Sequence, residues 1–299
     1  MKFKIVCDSS CNLTKDYIND PECGFEVVPL TIRIDDKEYV DNEQLDVNEL
    51  LEITNASKTA GQTSCPAPSE YYNAYQGADY VFAMTISSKL SGSYNSARIA
   101  KETMADPSRV CLIDSLSTAG SMEIMVDKLY EWIKEGKSFE EISKLIVEYQ
   151  QTMNILFVLD RFDNLVKNGR MNKIVARIAE LIAIKPLCMG EDGEIKIKEK
   201  IRTFRGVLKR LVFNIGKMCP DQTGRKCVIC HTLNDEAANY LKKEIEETYN
   251  FAEVKITKNR GLCAFYSLNG GVCPVCGHES LVYQEGCLIC KNCGTSRCG

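Results

Sequence analysis

The chain has 299 residues, of which 44% are hydrophobic and 26% charged, an ordinary globular composition that excludes a disordered or fibrous chain. Thirty-seven basic residues against 41 acidic ones leave a net charge of −4, which argues against a mainly electrostatic nucleic-acid binder. The N-terminal MKFKIVCDSS has no apolar stretch of signal-peptide length, and no run approaches the ~20 apolar residues of a membrane span, so a cytoplasmic protein with mostly reduced thiols is expected.

Phe3 to Cys7 reads as a strand, with Asp-Ser-Ser at its C-terminal end, and Val27 to Ile34 as another, followed by a turn at Asp35–Asp36 and a short return through Tyr39. Tyr80 to Ile86 and Val110 to Ile113 are short apolar runs of the kind found in buried parallel strands. Helical patterns cover Val47–Ala56, Ser69–Tyr75, Ser93–Met104, Thr118–Lys134 and Phe139–Gln151. This alternation predicts a mainly parallel sheet covered by helices over residues 1–153. A second α/β domain is expected over 154–271. It opens with the apolar run Ile155–Leu159, and helices are predicted at Arg161–Lys167 and Asn172–Ile182. Strands at Lys185–Met189 and Ile195–Glu199 are joined by Asp192–Gly193, a strong hairpin signal. A helix at Gly206–Lys217, a strand at Cys227–His231, a helix at Glu236–Tyr249 and a strand at Glu253–Thr257 complete it. Residues 272–299 form a cysteine-rich tail.

Polar clusters stand at the ends of predicted strands: Asp8-Ser9-Ser10, Ser87 to Ser93, and Asp114 to Ser117; a fourth, Gln62 to Pro66, precedes a helix. The crevice beyond the C-terminal ends of strands is where open α/β sheets bind ligands, and hydroxyls with helix N-terminal amides suit a small anion such as a carboxylate. The same residues are also standard helix N-caps, and each cluster taken singly reads as a cap.

The strings CDSSCNL, VVPLTIRIDDKEYVD, TSCPAPSEYY, TISSKLSGSYNSA, VCLIDSLSTAG, FVLDRFDNLVKNGRMNK and IKPLCMGEDGEIK, in this order over residues 3 to 260, resemble the DegV family. The resemblance implies a two-domain α/β protein that encloses one long-chain fatty acid. It also implies a non-catalytic role, as the binding subunit that presents the acyl carboxylate to a separate ATP-dependent fatty acid kinase. Thr63 matches the Thr of the family's TSQP motif and Ser91 the Ser of LSGTY; in the family both hydrogen-bond the carboxylate. Arg170 matches the Arg of the GRI motif, close to the carboxylate end. Asp8, Ser9 and Ser10, which match the first motif, and Ser115, within the IDS motif, are nearby candidates. Two departures stand out here. TSQP reads Thr63-Ser64-Cys65-Pro66, and Asn259 in Lys258-Asn259-Arg260-Gly261-Leu262 stands where many members carry the His of His-x-Gly-Pro-Gly. The second departure bears on kinase-dependent phosphorylation more than on lipid binding, since Thr63, Ser91 and Arg170 remain.

Six of the 16 cysteines lie in the last 27 residues. Cys273-x-x-Cys276-Gly and Cys290-x-x-Cys293-Gly, separated by 13 residues, form a zinc-ribbon signal. Cys273, Cys276, Cys290 and Cys293 are the expected ligands, with Cys287–Cys290 as a competing second pair and Cys287 and Cys298 otherwise spare. A tail this short cannot build its own core, so a metal would fold it. It also resembles the cysteine-rich C-terminus of cobalamin-dependent ribonucleotide reductases, which admits a redox reading, and the spacing allows an iron–sulfur cluster. The other cysteines, Cys7, Cys11, Cys65 and Cys111 among them, read as small core residues.

The leading expectation is therefore a fatty-acid-binding protein with an appended zinc ribbon. An acyl-ester hydrolase is the enzymatic alternative, but the chain has no Gly-x-Ser-x-Gly elbow and only His231 and His278 as possible bases. A tail that docks a partner is the third reading. With Glu279 and Glu285 against Lys291 and Arg297, the tail has no electrostatic footprint for nucleic acid, and a protein, the kinase, suits it better.

Overall fold

The computed structural model describes residues 1–57, 59, 61–159, 164–165, 168–170 and 185–267, together with the backbone of three strands between 281 and 298. The predicted helix Asn172–Ile182, most of Arg161–Lys167, and Cys273, Cys276 and Cys293 lie outside the described residues.

Four parallel strands form the first sheet: β1 (Phe3–Asp8), β2 (Cys23–Val28), β6 (Tyr80–Thr85) and β7 (Val110–Asp114), in the order β2-β1-β6-β7. Their runs are mostly apolar because both faces are covered, and the charged Lys4 of β1 and Glu26 of β2 pair with each other at 3.0 Å. Along β1 and β6, Phe3, Ile5, Cys7, Phe82 and Met84 face α4 (Gly120–Lys134) and α5 (Phe139–Gln150). The alternate residues Val6, Val81 and Ala83 face α2 (Pro68–Ala74) and α3 (Ser93–Glu102). The period of two distributes one strand between two cores.

The stretch Val27 to Ile34 is not one strand. Pro29 lacks the N–H that would continue the ladder, and after it the chain leaves the parallel sheet. β3 (Thr31–Ile34) then pairs antiparallel with β4 (Lys37–Val40) and with β5 (Gln62–Ser64), the polar segment that sequence reads only as the approach to a helix. α1 (Val47–Ala56), capped by the Asp46 carboxylate on the amides of Asn48 and Glu49, packs beside this small sheet.

Beyond α5, β8 (Leu156–Val158), β9 (Lys185–Glu191) and β10 (Glu194–Ile201) form an antiparallel sheet in the order β10-β9-β8. The β9–β10 hairpin turns through Asp192 (φ +50°) and Gly193 (φ +77°), the two left-handed residues of a tight primed turn, as the Asp-Gly pair predicts. A side chain at Gly193 would also collide with Ser87, whose hydroxyl donates to the Gly193 carbonyl at 2.8 Å. The hairpin tip is thereby pinned to the loop after β6.

α6 (Phe204–Met218), β11 (Lys226–His231), α7 (Asp235–Thr248) and β12 (Glu253–Lys258) follow, with β11 and β12 parallel across the α7 crossover. Thr203 and Asn234 cap the two helices through their side-chain oxygens. The closing helix α8 (Gly261–Ser267) returns to the first half, where Leu262 and Phe265 complete the core of Leu30, Ile32, Ile34, Leu50 and Ile86. In the tail, β13 (Leu281–Gln284), β14 (Cys287–Cys290) and β15 (Ser296–Cys298) form an antiparallel sheet in which Cys287 is the register partner of Cys298. No helix among the described residues is long and apolar enough to cross a membrane.

Candidate ligand-binding site

A cavity of about 440 Å³ runs between the C-terminal edge of the first sheet and the α6–α7 layer. That size lies within the ~300–1,000 Å³ of pockets that bury most of a small ligand. Along most of its length the walls are apolar: Phe204, Leu208, Leu211 and Ile215 from α6, Leu241 and Ile245 from α7, with Phe251 and Met153.

One part of the wall is polar. Arg170 joins three segments there. Its Nε donates to the Leu90 carbonyl at 2.9 Å, its Nη1 to the Asn168 carbonyl at 3.3 Å, and its Nη2 to Thr63 Oγ1 at 3.1 Å. Its guanidinium carbon lies 5.1 Å from the centre of the Tyr266 ring. Tyr266 Oη is 2.7 Å from Thr63 Oγ1. Burial pushes the Tyr266 phenol up, so it stays protonated at physiological pH. Thr63 comes from β5, and Ser91 follows Leu90 in the loop before α3. Ser91 Oγ lies 3.0 Å from Ser93 Oγ and accepts the Ser93 amide at 3.2 Å, so it caps the loop while also bordering the cavity.

Behind the Ser91 loop sits Asp8, fully buried at the end of β1. Its Oδ2 accepts the Ile86 amide at 2.8 Å, and its Oδ1 accepts both the amide and the hydroxyl of Ser10. Desolvation nevertheless raises its pKa to about 6, against the pull of these hydrogen bonds and of Ser93. Asp8 ties the ends of β1 and β6 together where the strand order reverses, the usual place for a ligand crevice in such sheets.

The other sequence candidates are placed differently. Ser9 accepts the Leu30 amide at 3.1 Å, and Ser115 caps its own loop by donating to the Ser117 carbonyl and accepting the Ser117 amide. Neither is among the described residues that border the cavity. Asn259 does border it, but both ends of its amide are engaged: Asn12 Nδ2 donates to its Oδ1 at 2.8 Å, and its own Nδ2 donates to Thr232 Oγ1 at 3.0 Å. His231 borders the cavity too. Its Nδ1 accepts the Asn234 amide, and burial lowers its pKa, so the ring is neutral.

Tyr266 is the residue that sequence reasoning passed over. It lies in no motif, and the sequence predicts no helix over 261–267. The available signal was the spacing of Leu262, Phe265 and Tyr266, one helical face directly after a Gly.

All ten cysteines among the described residues outside the tail are free thiols. Cys7 and Cys11 are fully buried, and Cys227 and Cys230 on β11 have their pKa values pushed up by burial, to about 11 and about 12. Cys227 and Cys230 therefore remain protonated and unreactive. Among the described residues there is no group of three or more metal-ligating side chains.

The family model whose description reads "Uncharacterised protein, DegV family" matches residues 2–272. This chain belongs to the DegV family. A DegV domain-containing protein of Streptococcus pyogenes serotype M1 is 37% identical over 276 residues, covering 91% of this chain and 98% of that relative. The Streptococcus pneumoniae Fatty Acid Kinase (Fak) B3 protein, crystallised loaded with linoleic acid, superposes with a TM-score of 0.83 at 34% identity, over 90% of this chain and 96% of its own. A DegV family protein from Eubacterium eligens, loaded with heptadecanoic acid, superposes with a TM-score of 0.81 at 32% identity, over the same 90% and 96%. The α/β architecture expected from sequence is thus the DegV fold.

Proposed function

We propose that this DegV protein binds one long-chain fatty acid in the cavity and is itself non-catalytic. The observation that carries this reading is an apolar cavity in whose wall the Arg170 guanidinium is held beside the hydroxyls of Thr63 and Ser91. The acyl chain lies along α6 and α7, and the carboxylate faces Thr63, Ser91 and Arg170. Burial of about 14 methylenes contributes about 11 kcal/mol before the costs of association, so few polar groups are needed to orient the head. One guanidinium balances one carboxylate. In this reading the domains 1–153 and 154–271 close on the chain from either side. The fatty-acid-loaded relatives support it. The likeness to the Fak B3 protein supports a further step, in which this protein works in the cytoplasm and presents the carboxylate to a fatty acid kinase.

The test is direct. Recombinant protein weighed under native conditions carries the extra mass of one fatty acid, which denaturation releases. After delipidation, Arg170→Ala binds oleate about ten- to a hundredfold more weakly than the wild type, the expected loss of hydrogen bonds to a charged group. Delipidated wild type with no affinity for palmitate or oleate would overturn the reading.

For the tail we propose a zinc site held by Cys273, Cys276, Cys290 and Cys293, supported by their spacing. Zinc bound near one equivalent to the full chain and absent from a chain ending at residue 271 is the expected result. A metal-free full chain with a Cys287–Cys298 disulfide would replace it by the redox reading.

A further inference from the structure

We propose that Tyr266 is a positioning residue of the head-group site: paired with Thr63, it directs one hydroxyl hydrogen of the pair toward the ligand and so favours a carboxylate over an uncharged acyl head. The inference rests on the fatty-acid reading above.

Thr63 Oγ1 has one hydrogen and two lone pairs. One lone pair receives the Arg170 Nη2 hydrogen at 3.1 Å. Among the described residues its other partner is Tyr266 Oη at 2.7 Å. When Tyr266 donates, both lone pairs of Thr63 are filled and its hydrogen is left for the cavity. When Thr63 donates instead, the Tyr266 hydrogen is the one left over. In either arrangement the pair offers one hydroxyl hydrogen to a ligand, polarised by the arginine bonded behind it. An anion gains more from a polarised donor than an ester carbonyl does.

The pair is held rather than mobile. Arg170 spends three of its five N–H donors on protein atoms, and its plane rests against the Tyr266 ring. Tyr266 rides on α8, which is anchored at both ends. Asp41 Oδ2 accepts the Leu262 amide at 3.0 Å, and Asn164 Nδ2 donates to the Phe265 carbonyl at 3.1 Å. Phe265, its neighbour, is fully buried. A side chain at Gly261 would strike Asp41, so the first turn of α8 cannot back away from this anchor.

The experiment compares oleate with methyl oleate on delipidated full-length protein. Wild type should prefer oleate. Tyr266→Phe keeps the ring under Arg170 and removes only the hydroxyl. It should weaken oleate about three- to tenfold and leave methyl oleate unchanged, the size of one neutral hydrogen bond. Tyr266→Leu also removes the aromatic face and should weaken oleate further; if it does not fold, the Phe variant decides alone. Oleate affinity equal to wild type in Tyr266→Phe overturns the proposal, as does an equal loss for both ligands, which would mark a merely structural role. Wild type that binds neither ligand would instead defeat the fatty-acid reading itself.

Discussion

The four-stranded parallel sheet and the β11–β12 pair are both crossed by helices, yet they are packed to different degrees. In the first, Ile5, Phe82, Met84, Met125, Leu129 and Ile142 are all 0% exposed. In the second, Val207 and Ile245 are as well covered, but Val254, Leu208, Val212, Leu241 and Ile229 stand at 6–8%, and Phe204, Leu211, Ile215 and Phe251 are only half-buried. The partly buried apolar side chains of α6, Phe204, Leu211, Ile215 and Met218, all border the cavity. Dense packing leaves no room for a guest, so the region that receives one is the region whose core is unfinished without it.

The sharpest way to break this comparison is to truncate one residue in each region. Phe82→Ala opens a hole between β6 and α5, where Phe82 packs on Phe139 with ring centres 5.1 Å apart, and should cost about 3–5 kcal/mol. Leu211→Ala enlarges a space that already exists and should cost about 1 kcal/mol in delipidated protein. Denaturant unfolding of both variants measures the difference. Equal costs would mean that the second region is as tightly packed as the first. Saturating fatty acid should raise the cost of the Leu211 truncation and leave that of Phe82 unchanged, because a ligand bound only to the native state stabilises through the wall it touches.

The same contrast explains what the sequence reveals. FKIVC and YVFAMTI read as strands because both faces are buried and nearly every residue is apolar; Lys4 and Thr85 are the polar residues in them. The Asp192–Gly193 turn is legible because two left-handed residues in a row need that pair of residue types. β5 is not, since Gln62-Thr63-Ser64 has no apolar periodicity and is a strand only because β3 supplies a partner. The proposed site is legible where a motif carries it, and the motif residues Thr63, Ser91 and Arg170 all border the cavity. It is illegible where hydroxyls serve the backbone, because Ser9 and Ser115 have the same chemistry as Ser91 and differ only in what surrounds them. Tyr266 could not be assigned for the converse reason: its importance comes from α8 crossing back to the first half, a tertiary fact without a local signature.

A smaller and more selective effect should appear at Asp8, where the packed region meets the cavity. Its carboxyl is raised from 3.8 to about 6 by burial. The native state therefore holds a proton that the unfolded chain has already released between those two pH values, and ionising Asp8 in place works against folding. The contribution is most favourable below about pH 4 and is lost as pH rises through about 6, a change of about 3 kcal/mol. Asp8→Asn removes the titration while keeping an oxygen for the Ile86 amide. The variant should gain stability relative to wild type as pH rises from 4 to 7, with the two unfolding free energies running parallel above that. Curves that stay parallel across the whole range would show that Asp8 is not the buried charge that the closed sheet edge makes it. They would also mean that water reaches this edge from the cavity side, so that the boundary between the packed and unpacked regions lies one layer deeper, inside the ends of β1 and β6.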